Sequence, residues 1–330
     1  MSDMSSLLEK IVSYSGAVGA AAATIGPVEQ RVRDEYNRWL ADKKHGEMRY
    51  LENHRHLRFD PSGLIEPAAQ TIISLAFSSN IAVRRSDKLP QFASYALGED
   101  YHIVIRNRLE NALRKLEMPS DAVWRICVDS APVMERYWAV RSGLAYRCLN
   151  SMVAVEGYGQ EILLAEILTD LPINELIGEN GKKVVIVSEP ETYTKTSVSD
   201  FAAIRCVECQ ACVTACPGKA ITESGLLTAR RCVNYLTIEH RGEWDEEGRD
   251  VMRNLPEPGS IYGCNICRDV CPMNQNIPLT EIEEFTPQPA LLNLTADDIL
   301  RMGSGEFKRM FAKSAAKRTG LASMNRNVSK

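Results

Sequence analysis

CVECQACVTACPGKA, residues 206–220, places four cysteines within eleven positions and follows the last of them with a proline. The chain of 330 residues contains ten cysteines. Only Cys127 and Cys148 precede residue 200, and the other eight lie between residues 206 and 271. Reducing compartments disfavour disulfides, so cysteines clustered in this way favour metal or redox chemistry.

The first set of cysteines reads C-x2-C-x2-C-x3-C-P, a spacing in which three cysteines hold one [4Fe–4S] cube and the fourth reaches another. The second set, CNICRDVCP at residues 264–272, lacks one upstream cysteine. Cys232 is the remaining cysteine of this region, and we expect it to supply the missing ligand. The fourth ligands then cross between two sets: Cys206, Cys209, Cys212 and Cys271 for the first cluster, and Cys216, Cys232, Cys264 and Cys267 for the second.

Zinc and disulfides are the competing interpretations of these cysteines. Structural zinc sites favour two separated pairs of ligands, which explains neither the third cysteine of the first set nor the Cys-Pro ending. Soft thiolates at this spacing favour two [4Fe–4S] clusters. Clusters imply electron transfer, but they do not indicate which group accepts the electrons. Because 205 residues precede the first ligand, we expect a preceding domain to receive the electrons.

The composition is that of a soluble globular protein, with 45% hydrophobic and 25% charged residues and a net charge of −4. A nucleic-acid surface would therefore have to be a local basic patch. The opening residues MSDMSSLLEKIVSYSGAVGAAAATIG lack the basic start of a secretion signal, and no uninterrupted apolar run reaches membrane-spanning length. We expect a cytoplasmic protein that does not enter a membrane.

The pattern along the chain predicts three parts. Residues 1–195 read as an α/β domain, with helices in VEQRVRDEYNRWLADK and YHIVIRNRLENALRKLE, strands in TIISLAFS, WRICVDSAPV and KKVVIVSE, and EILLAEILTDL open to either form. The polar stretch PETYTKTSVSD marks the boundary. Residues 196–288 form the cluster-binding part, and residues 289–330 form a basic helical segment.

Several blocks together resemble the epoxyqueuosine reductase family, the cobalamin-dependent iron–sulfur enzymes of queuosine synthesis. The blocks are HGEMRYLENHRHLRFDPSGLIEPAAQTIISLAF, YALGEDYHIVIRNRL, CVDSAPVMERYWAVRSGLAY, LAEILTDLPI, the cysteine framework and ARRCVNYLTIE with IYGCNICRDVCPMN. The resemblance runs from about residue 45 to residue 330. It implies an α+β protein, in which a nitroreductase-like, cobalamin-binding domain precedes a bacterial two-[4Fe–4S] ferredoxin-like domain.

The resemblance also implies an activity. Members of this family reduce epoxyqueuosine to queuosine at the wobble position of tRNA, with electrons passing through two clusters to cobalamin. It further implies tRNA as substrate and a low-potential electron donor such as ferredoxin or flavodoxin, and we expect a monomer. The basic residues near the end of the chain are expected either to contact tRNA phosphates or to form a solvated helix face.

Removal of an epoxide oxygen requires a proton donor, and the resemblance assigns that role to Asp129. We expect burial to raise the pKa of this carboxyl. Tyr101 and His102 are candidates for the cobalamin pocket or for holding substrate. Asn234, Asn265 and Ile266 are candidates for contacts with the corrin, or alternatively for tuning the second cluster. Cys127 and Cys148 are expected to be buried thiols without a role in the clusters.

Three short stretches depart from the family's pattern. GLAYRCLN replaces a lysine-containing segment at Arg147 and Cys148, ILLAE replaces an aromatic-rich stretch at residues 162–166, and CPGKA differs from the usual CPTxA. These departures keep two other functions open. One is cobalamin-dependent reduction of a small molecule, as in reductive dehalogenases, and the other is electron transfer without catalysis.

Overall fold

The computed structural model describes residues 6–116, 119–177, 181, 183–187, 201, 204, 206, 208–222 and 225–329. In the larger first part of the chain its strands are β1 (Gly19–Thr24), β2 (Thr71–Ser78), β3 (Gln91–Phe92), β4 (Trp124–Cys127), β5 (Tyr146–Arg147), β6 (Val153–Ala154), β7 (Ile162–Thr169) and β8 (Val184–Ile186). Its helices there are α1 (Leu7–Ser15), α2 (Gln30–Ala41), α3 (Arg55–Phe59), α4 (Tyr101–Lys115), α5 (Glu135–Arg141) and α6 (Ile173–Ile177).

The cysteine-bearing part and the last part of the chain contain short elements. They are α7 (Ala211–Ala215), a π-helical turn (Tyr235–Glu239), α8 (Glu246–Arg253), β9 (Ser260–Tyr262), α9 (Ile266–Asp269), α10 (Pro289–Asn293), α11 (Ala296–Arg301), α12 (Ser304–Met310) and α13 (Leu321–Val328). Short helices joined by loops are what a segment rich in ligands and turn residues is expected to form.

A five-stranded sheet organises the first part of the molecule, in the order β4-β7-β2-β1-β8. Every residue of β2 is buried because helices cover both faces of the sheet. Ile73, Leu75 and Phe77 belong to a core that also contains residues of α1 and α4. The intervening residues Ile72 and Ala76 belong to cores that contain residues of α5. The alternation of β2 therefore separates an α1/α4 side of the sheet from an α5 side.

The secondary structure predicted from the sequence is largely confirmed. The two predicted helices are α2 and α4, TIISLAFS is β2, and the ambiguous EILLAEILTDL is strand β7. The α/β description of this part needs correction, because each pairing within the five-stranded sheet is antiparallel. An antiparallel sheet flanked by helices is an α+β arrangement, so the predicted overall class, α+β, is confirmed.

The three parts predicted from the sequence share cores. Strand β3 pairs with β9, which joins the first part to the cysteine-bearing part. A core cluster combines Phe92 and Leu97 with Ile261 and with Phe311 and Met324 from the end of the chain. The predicted boundary at residues 190–200 lies outside the described residues, and the three-part division stays a prediction. Among the described residues, no helix is long and apolar enough to cross a membrane.

Candidate functional site

The cysteines assigned to the first cluster surround one cavity. Its volume is about 460 Å³, and its lining includes all four of them: Cys206, Cys209, Cys212 and Cys271. Burial raises the pKa values of Cys212 and Cys271, and the charge of Cys206 raises both further. Cys271, which is more than 50 residues further along the chain than the others, is thus brought beside them by the fold.

The cysteines assigned to the second cluster are also electrostatic neighbours. Burial raises the pKa of Cys267 to about 12, and the charges of Cys232 and Cys216 raise it too. The pKa of Cys264 is raised by burial and then by Cys232, Cys267 and Cys216. Each set predicted from the spacing is therefore brought together in the fold, including the distant Cys232.

Backbone amides point at the cysteine sulfurs. The N–H of Leu149 donates to Cys206 Sγ at 3.2 Å, and that of Ala220 donates to Cys216 Sγ at 3.3 Å. Within the described ranges, no three His, Cys, Asp or Glu side chains converge closely enough to hold a single metal ion. A [4Fe–4S] cube is held by thiolates at its corners, so its ligands surround a space instead of meeting at a point.

Asn234 and Asn265 have structural partners near the second set. Asn234 Oδ1 accepts the N–H of Cys264 at 2.9 Å. Asn265 joins the cysteine loop to the first part of the chain, since its side chain accepts the N–H of Ser94 and donates to the carbonyl of Phe92. The N–H of Ile266 hydrogen-bonds Cys264. These bonds give the two asparagine side chains positioning roles, and corrin contacts of Asn234, Asn265 and Ile266 stay a prediction.

Asp129 follows strand β4 and lies beside the start of helix α4. The hydroxyl of Tyr101 donates to Asp129 Oδ2 at 2.8 Å, and His102 Nε2 lies 3.3 Å from the same oxygen. On its other side, His102 Nδ1 is 2.7 Å from Asp100 Oδ1. About half of the Asp129 side chain is solvent-accessible, so a substrate can reach its carboxyl group. The three residues predicted separately as Asp129, Tyr101 and His102 thus form one hydrogen-bonded group.

The electrostatics of this group differ from the sequence-based expectation. The hydrogen bond from His102 lowers the pKa of Asp129 to about 2, against the opposing effect of burial, and the hydrogen bond from Tyr101 lowers it further. Burial alone would lower the pKa of His102, but its bonds to Asp100 and Asp129 raise it to about 9. The expected raised pKa of Asp129 is therefore wrong for this arrangement. At neutral pH the transferable proton resides on His102, which shares it with Asp129.

Two glutamates near Asp129 were not identified from the sequence. The backbone N–H of Asp129 donates to Glu135 Oε1 at 2.6 Å, at the start of α5. Glu166 lies within β7 and is 0% exposed. The sequence did contain a signal for Glu166, which is an acidic residue inside the apolar run ILLAEILT. A charged side chain at a buried strand position is costly unless it is paired or neutral, so such a residue is a candidate for the site.

The remaining residues identified from the sequence are buried, or form ion pairs and hydrogen bonds with other parts of the protein. Cys127 and Cys148 are buried, as expected. Arg147 is 6% exposed and lies 3.3 Å from Glu35. Among the basic residues near the chain end, Arg318 pairs with Glu239 and Arg326 donates to the carbonyls of Leu236 and Gly242.

Comparisons with known proteins agree with this arrangement. Residues 205–274 match the family model described as a 4Fe-4S double cluster binding domain, which supports two [4Fe–4S] clusters in this chain. Residues 58–130 match the model described as Epoxyqueuosine reductase QueG, DUF1730. The second match ends at the residue after Asp129.

Whole-chain relatives extend the similarity. The epoxyqueuosine reductase of Cyclobacterium marinum is 34% identical over 293 residues, which cover 88% of this chain and 84% of that protein. The structure of epoxyqueuosine reductase from Streptococcus thermophilus aligns with a TM-score of 0.77 at 22% identity, over 97% of this chain and 78% of that one. An epoxyqueuosine reductase solved with an epoxyqueuosine-modified tRNA-Tyr stem loop aligns with a TM-score of 0.76 at 24% identity, over 98% and 80% of the two chains. The chain therefore belongs to the epoxyqueuosine reductase family.

Proposed function

We propose that this protein is an oxidoreductase that converts epoxyqueuosine to queuosine in tRNA, with two [4Fe–4S] clusters and a cobalamin as its redox groups. The observation that carries the proposal is the occurrence of Asp129, held by Tyr101 and His102, in the same chain as two converging cysteine sets. The nitroreductase-like character of the first part, the division at residues 195 and 288, a monomeric state and a cytoplasmic location belong to the same proposal.

The eight cysteines are the proposed cluster ligands. Cys206, Cys209, Cys212 and Cys271 would hold the first cluster around the cavity that they line. Cys216, Cys232, Cys264 and Cys267 would hold the second. The amide donors to Cys206 and Cys216 stabilise negative charge on sulfur and so favour the reduced state of each cluster.

The residues near Asp129 fit a cobalamin between the acid site and the second cysteine set. The positive charge of Arg136 lowers the pKa of both Asp129 and Cys232, so both groups lie within electrostatic reach of one side chain. Tyr101, His102 and the loop of Asn265 and Ile266 would contact the group. When bound, cobalamin would supply a low-valent cobalt centre able to deliver electrons to the substrate.

The protein's own residues supply the first of the two protons that the reaction consumes, and solvent water supplies the second. Conversion of an epoxide to an alkene consumes two electrons and two protons, and the oxygen leaves as water. The protonated His102 and the carboxylate of Asp129 share a proton at Oδ2, and because about half of the Asp129 side chain is solvent-accessible, the departing oxygen can approach this carboxyl group and accept the proton. The carboxylate of Asp100 bonds His102 Nδ1, the ring nitrogen that does not contact Asp129, and so fixes the orientation of the ring. Tyr101 fixes the orientation of the Asp129 carboxyl.

A groove beside Asp129 supports tRNA as the substrate. Its volume is about 730 Å³, and its lining includes Arg106, Arg114 and Arg125 together with Ser130 and Ala131. Arginines of this kind supply phosphate contacts that do not depend on sequence. A wobble base turned out of the anticodon stack would be read in a separate pocket.

The proposal is tested with tRNA carrying epoxyqueuosine, a low-potential reductant and anaerobically prepared protein, with cobalamin present and absent. We expect queuosine to form only with cobalamin. Asp129→Asn should abolish turnover while both clusters keep their absorbance and EPR signals, because the amide cannot transfer a proton. Full turnover by this variant would refute the role of Asp129, and no spectral change on mixing wild-type protein with cob(II)alamin would refute the cobalamin assignment.

A further inference from the structure

Glu166 occupies an unusual position in the centre of the main sheet. It lies on β7, paired with Ser74 of β2 on one side and with Cys127 of β4 on the other, and it is 0% exposed. Neither of its carboxyl oxygens forms a regular hydrogen bond within the described part of the chain. An ionised carboxylate at such a position would cost several kcal/mol. Burial accordingly raises the pKa of Glu166 well above its ordinary value, which favours the neutral, protonated form of the side chain.

Glu166 faces the α5 side of the sheet. Its neighbours Ala165 and Ile167 belong to the α1/α4 core, so the alternation of the strand turns Glu166 to the opposite side. Helix α5 packs there and begins at Glu135. Glu135 raises the pKa of Glu166 in two ways, through its negative charge and through a side-chain hydrogen bond with the protonated form of Glu166. The two carboxyl groups are therefore electrostatic neighbours on the α5 side of the sheet.

Glu135 in turn holds the backbone of Asp129. Asp129 has a φ of 55°, and the N–H of Ser130 donates to the carbonyl of Val128 at 2.6 Å across it. A three-residue turn with positive φ at its centre is the rarer and more strained form. The N–H of Asp129 donates to Glu135 Oε1 at 2.6 Å. This bond to a residue outside the turn stabilises the strained conformation of Asp129.

The protonation state of Glu135 and Glu166 depends on the charges around them. Burial raises the pKa of Glu135 to about 8, and the charge of Asp129 raises it too. The N–H of Asp129, Arg136 and His102 act in the opposite direction. The charge of Glu135 raises the pKa of Glu166, and the charge of Asp129 raises it by less. Two neighbouring carboxyl groups at such a buried site cannot both be ionised.

We propose that Glu135 and Glu166 hold at least one carboxyl proton between them and act as a positioning pair for the proton donor: Glu166 donates to Glu135, and Glu135 accepts the backbone N–H of Asp129. The pair thereby holds Asp129 in the left-handed conformation that directs its carboxyl group at Tyr101 and His102. Its catalytic consequence rests on the proposed function, whereas its structural basis does not.

The shared proton is tested in the resting protein by infrared spectroscopy at neutral pH in H2O and D2O. We expect a C=O stretching band of a protonated carboxyl group that shifts in D2O and loses intensity in both Glu166→Gln and Glu166→Leu. Absence of such a band from the wild-type protein, or a band unchanged in both variants, overturns the proposal.

The positioning role is tested with the same two variants. Glu166→Gln keeps a donor for Glu135, so we expect turnover within about twofold of wild type. Glu166→Leu removes the donor without adding charge, and a displaced Asp129 should lower kcat at least about tenfold with KM unchanged. Cluster absorbance and thermal stability should be retained in both. Wild-type turnover by Glu166→Leu contradicts the proposal, and so does equal loss in both variants, because that would make the carboxyl proton itself the reactant.

A second readout does not require substrate or cofactor. The pKa of His102, followed by NMR of labelled histidine, should stay near 9 in Glu166→Gln and fall toward 6.5 in Glu166→Leu, because the carboxylate of Asp129 moves away from the ring. If wild-type protein fails to convert epoxyqueuosine tRNA while this difference is observed, the proposed function is wrong and the positioning pair stands. If His102 titrates identically in all three proteins, the positioning pair is wrong whatever the turnover.

Discussion

At the scale of single residues, the site is a chain of three side chains: Asp100, His102 and Asp129. Asp100 caps helix α4, where its carboxyl accepts the N–H of His102 at 3.1 Å, and the same oxygen bonds the ring of His102. The ring of Tyr101 stacks on that of His102, with centroids 4.0 Å apart. One capping residue therefore both starts the helix and fixes the imidazole that shares its proton with Asp129.

The titration of His102 is the residue-scale prediction. Its pKa of about 9 exceeds the ordinary 6.5, so its two carboxylate bonds stabilise the folded protein fully below about pH 6.5, and that contribution is lost as the pH rises through 9. We expect Asp100→Asn to lower the pKa of His102, because a neutral amide stabilises the imidazolium less than a carboxylate does. NMR of histidine-labelled protein measures this, with His102→Gln to assign the signal. An unchanged pKa in Asp100→Asn would contradict the charge assignment.

At the scale of elements, the second cysteine set depends on a π-helical turn and a loop that lock together. Thr237 Oγ1 donates to the carbonyl of Val233 at 2.6 Å and accepts the N–H of Gly263 at 2.9 Å. Asn234 bonds both the N–H and the carbonyl of Cys264. The segment from Cys232 to Thr237, which leads into the π-helical turn, and the loop that carries Cys264 are thus joined by polar side chains.

The element-scale prediction concerns Asn234. Asn234→Ala removes both bonds to Cys264, so we expect the second cluster to be lost or labile while the first is kept. Iron and sulfide should fall from about eight toward about four atoms each per chain in anaerobic protein. Asn254→Ala is the matched control, since Asn254 is exposed and its side chain donates to the carbonyl of Asp250 at its own helix end. Full iron content in Asn234→Ala would show that the loops hold their positions without this side chain.

At the scale of the whole molecule, contacts between distant segments position the cysteine-bearing part against the sheet. Arg268, between two ligands of different sets, forms a buried ion pair with Glu161 at the start of β7. Asn274 Oδ1 accepts the N–H of Gln160 at 2.7 Å. Gly98 lies against the backbone of Phe285, so closely that a Cβ would approach it at 2.7 Å. The relative positions of Asp129 and the clusters depend on these contacts.

The whole-molecule prediction is made at Gly98. Gly98→Ala forces a shift between two backbone segments, and we expect a loss of stability of about 1–3 kcal/mol. Thermal unfolding of the anaerobic protein followed by circular dichroism measures the change. Gly26→Ala is the control, because Gly26 lies in a loop where a Cβ meets nothing within 4 Å, and it should change stability little. Equal melting temperatures for the two variants would contradict the tight contact at Phe285.

Much of the site could be predicted from sequence because covalent spacing constrains it. The two-residue gaps among Cys206, Cys209 and Cys212 limit which of them can share a cluster, and the remaining ligands follow from the pairing rule of such domains. Asp129, Tyr101 and His102 were identified through resemblance, one residue at a time. Their mutual hydrogen bonds were not, since α4 and the turn after β4 meet only through the packing of the sheet.

The sequence by itself determined the chemistry that the protein can bind: two sets of thiolates, the helix and strand patterns and the family. Only the tertiary structure decided the protonation of the acid site. The pKa of a carboxyl depends on which charges and donors lie within a few ångströms of it, and those neighbours come from elements distant in sequence. For this reason His102 lowers the pKa of Asp129, whereas burial and the charge of Asp129 raise the pKa of Glu135.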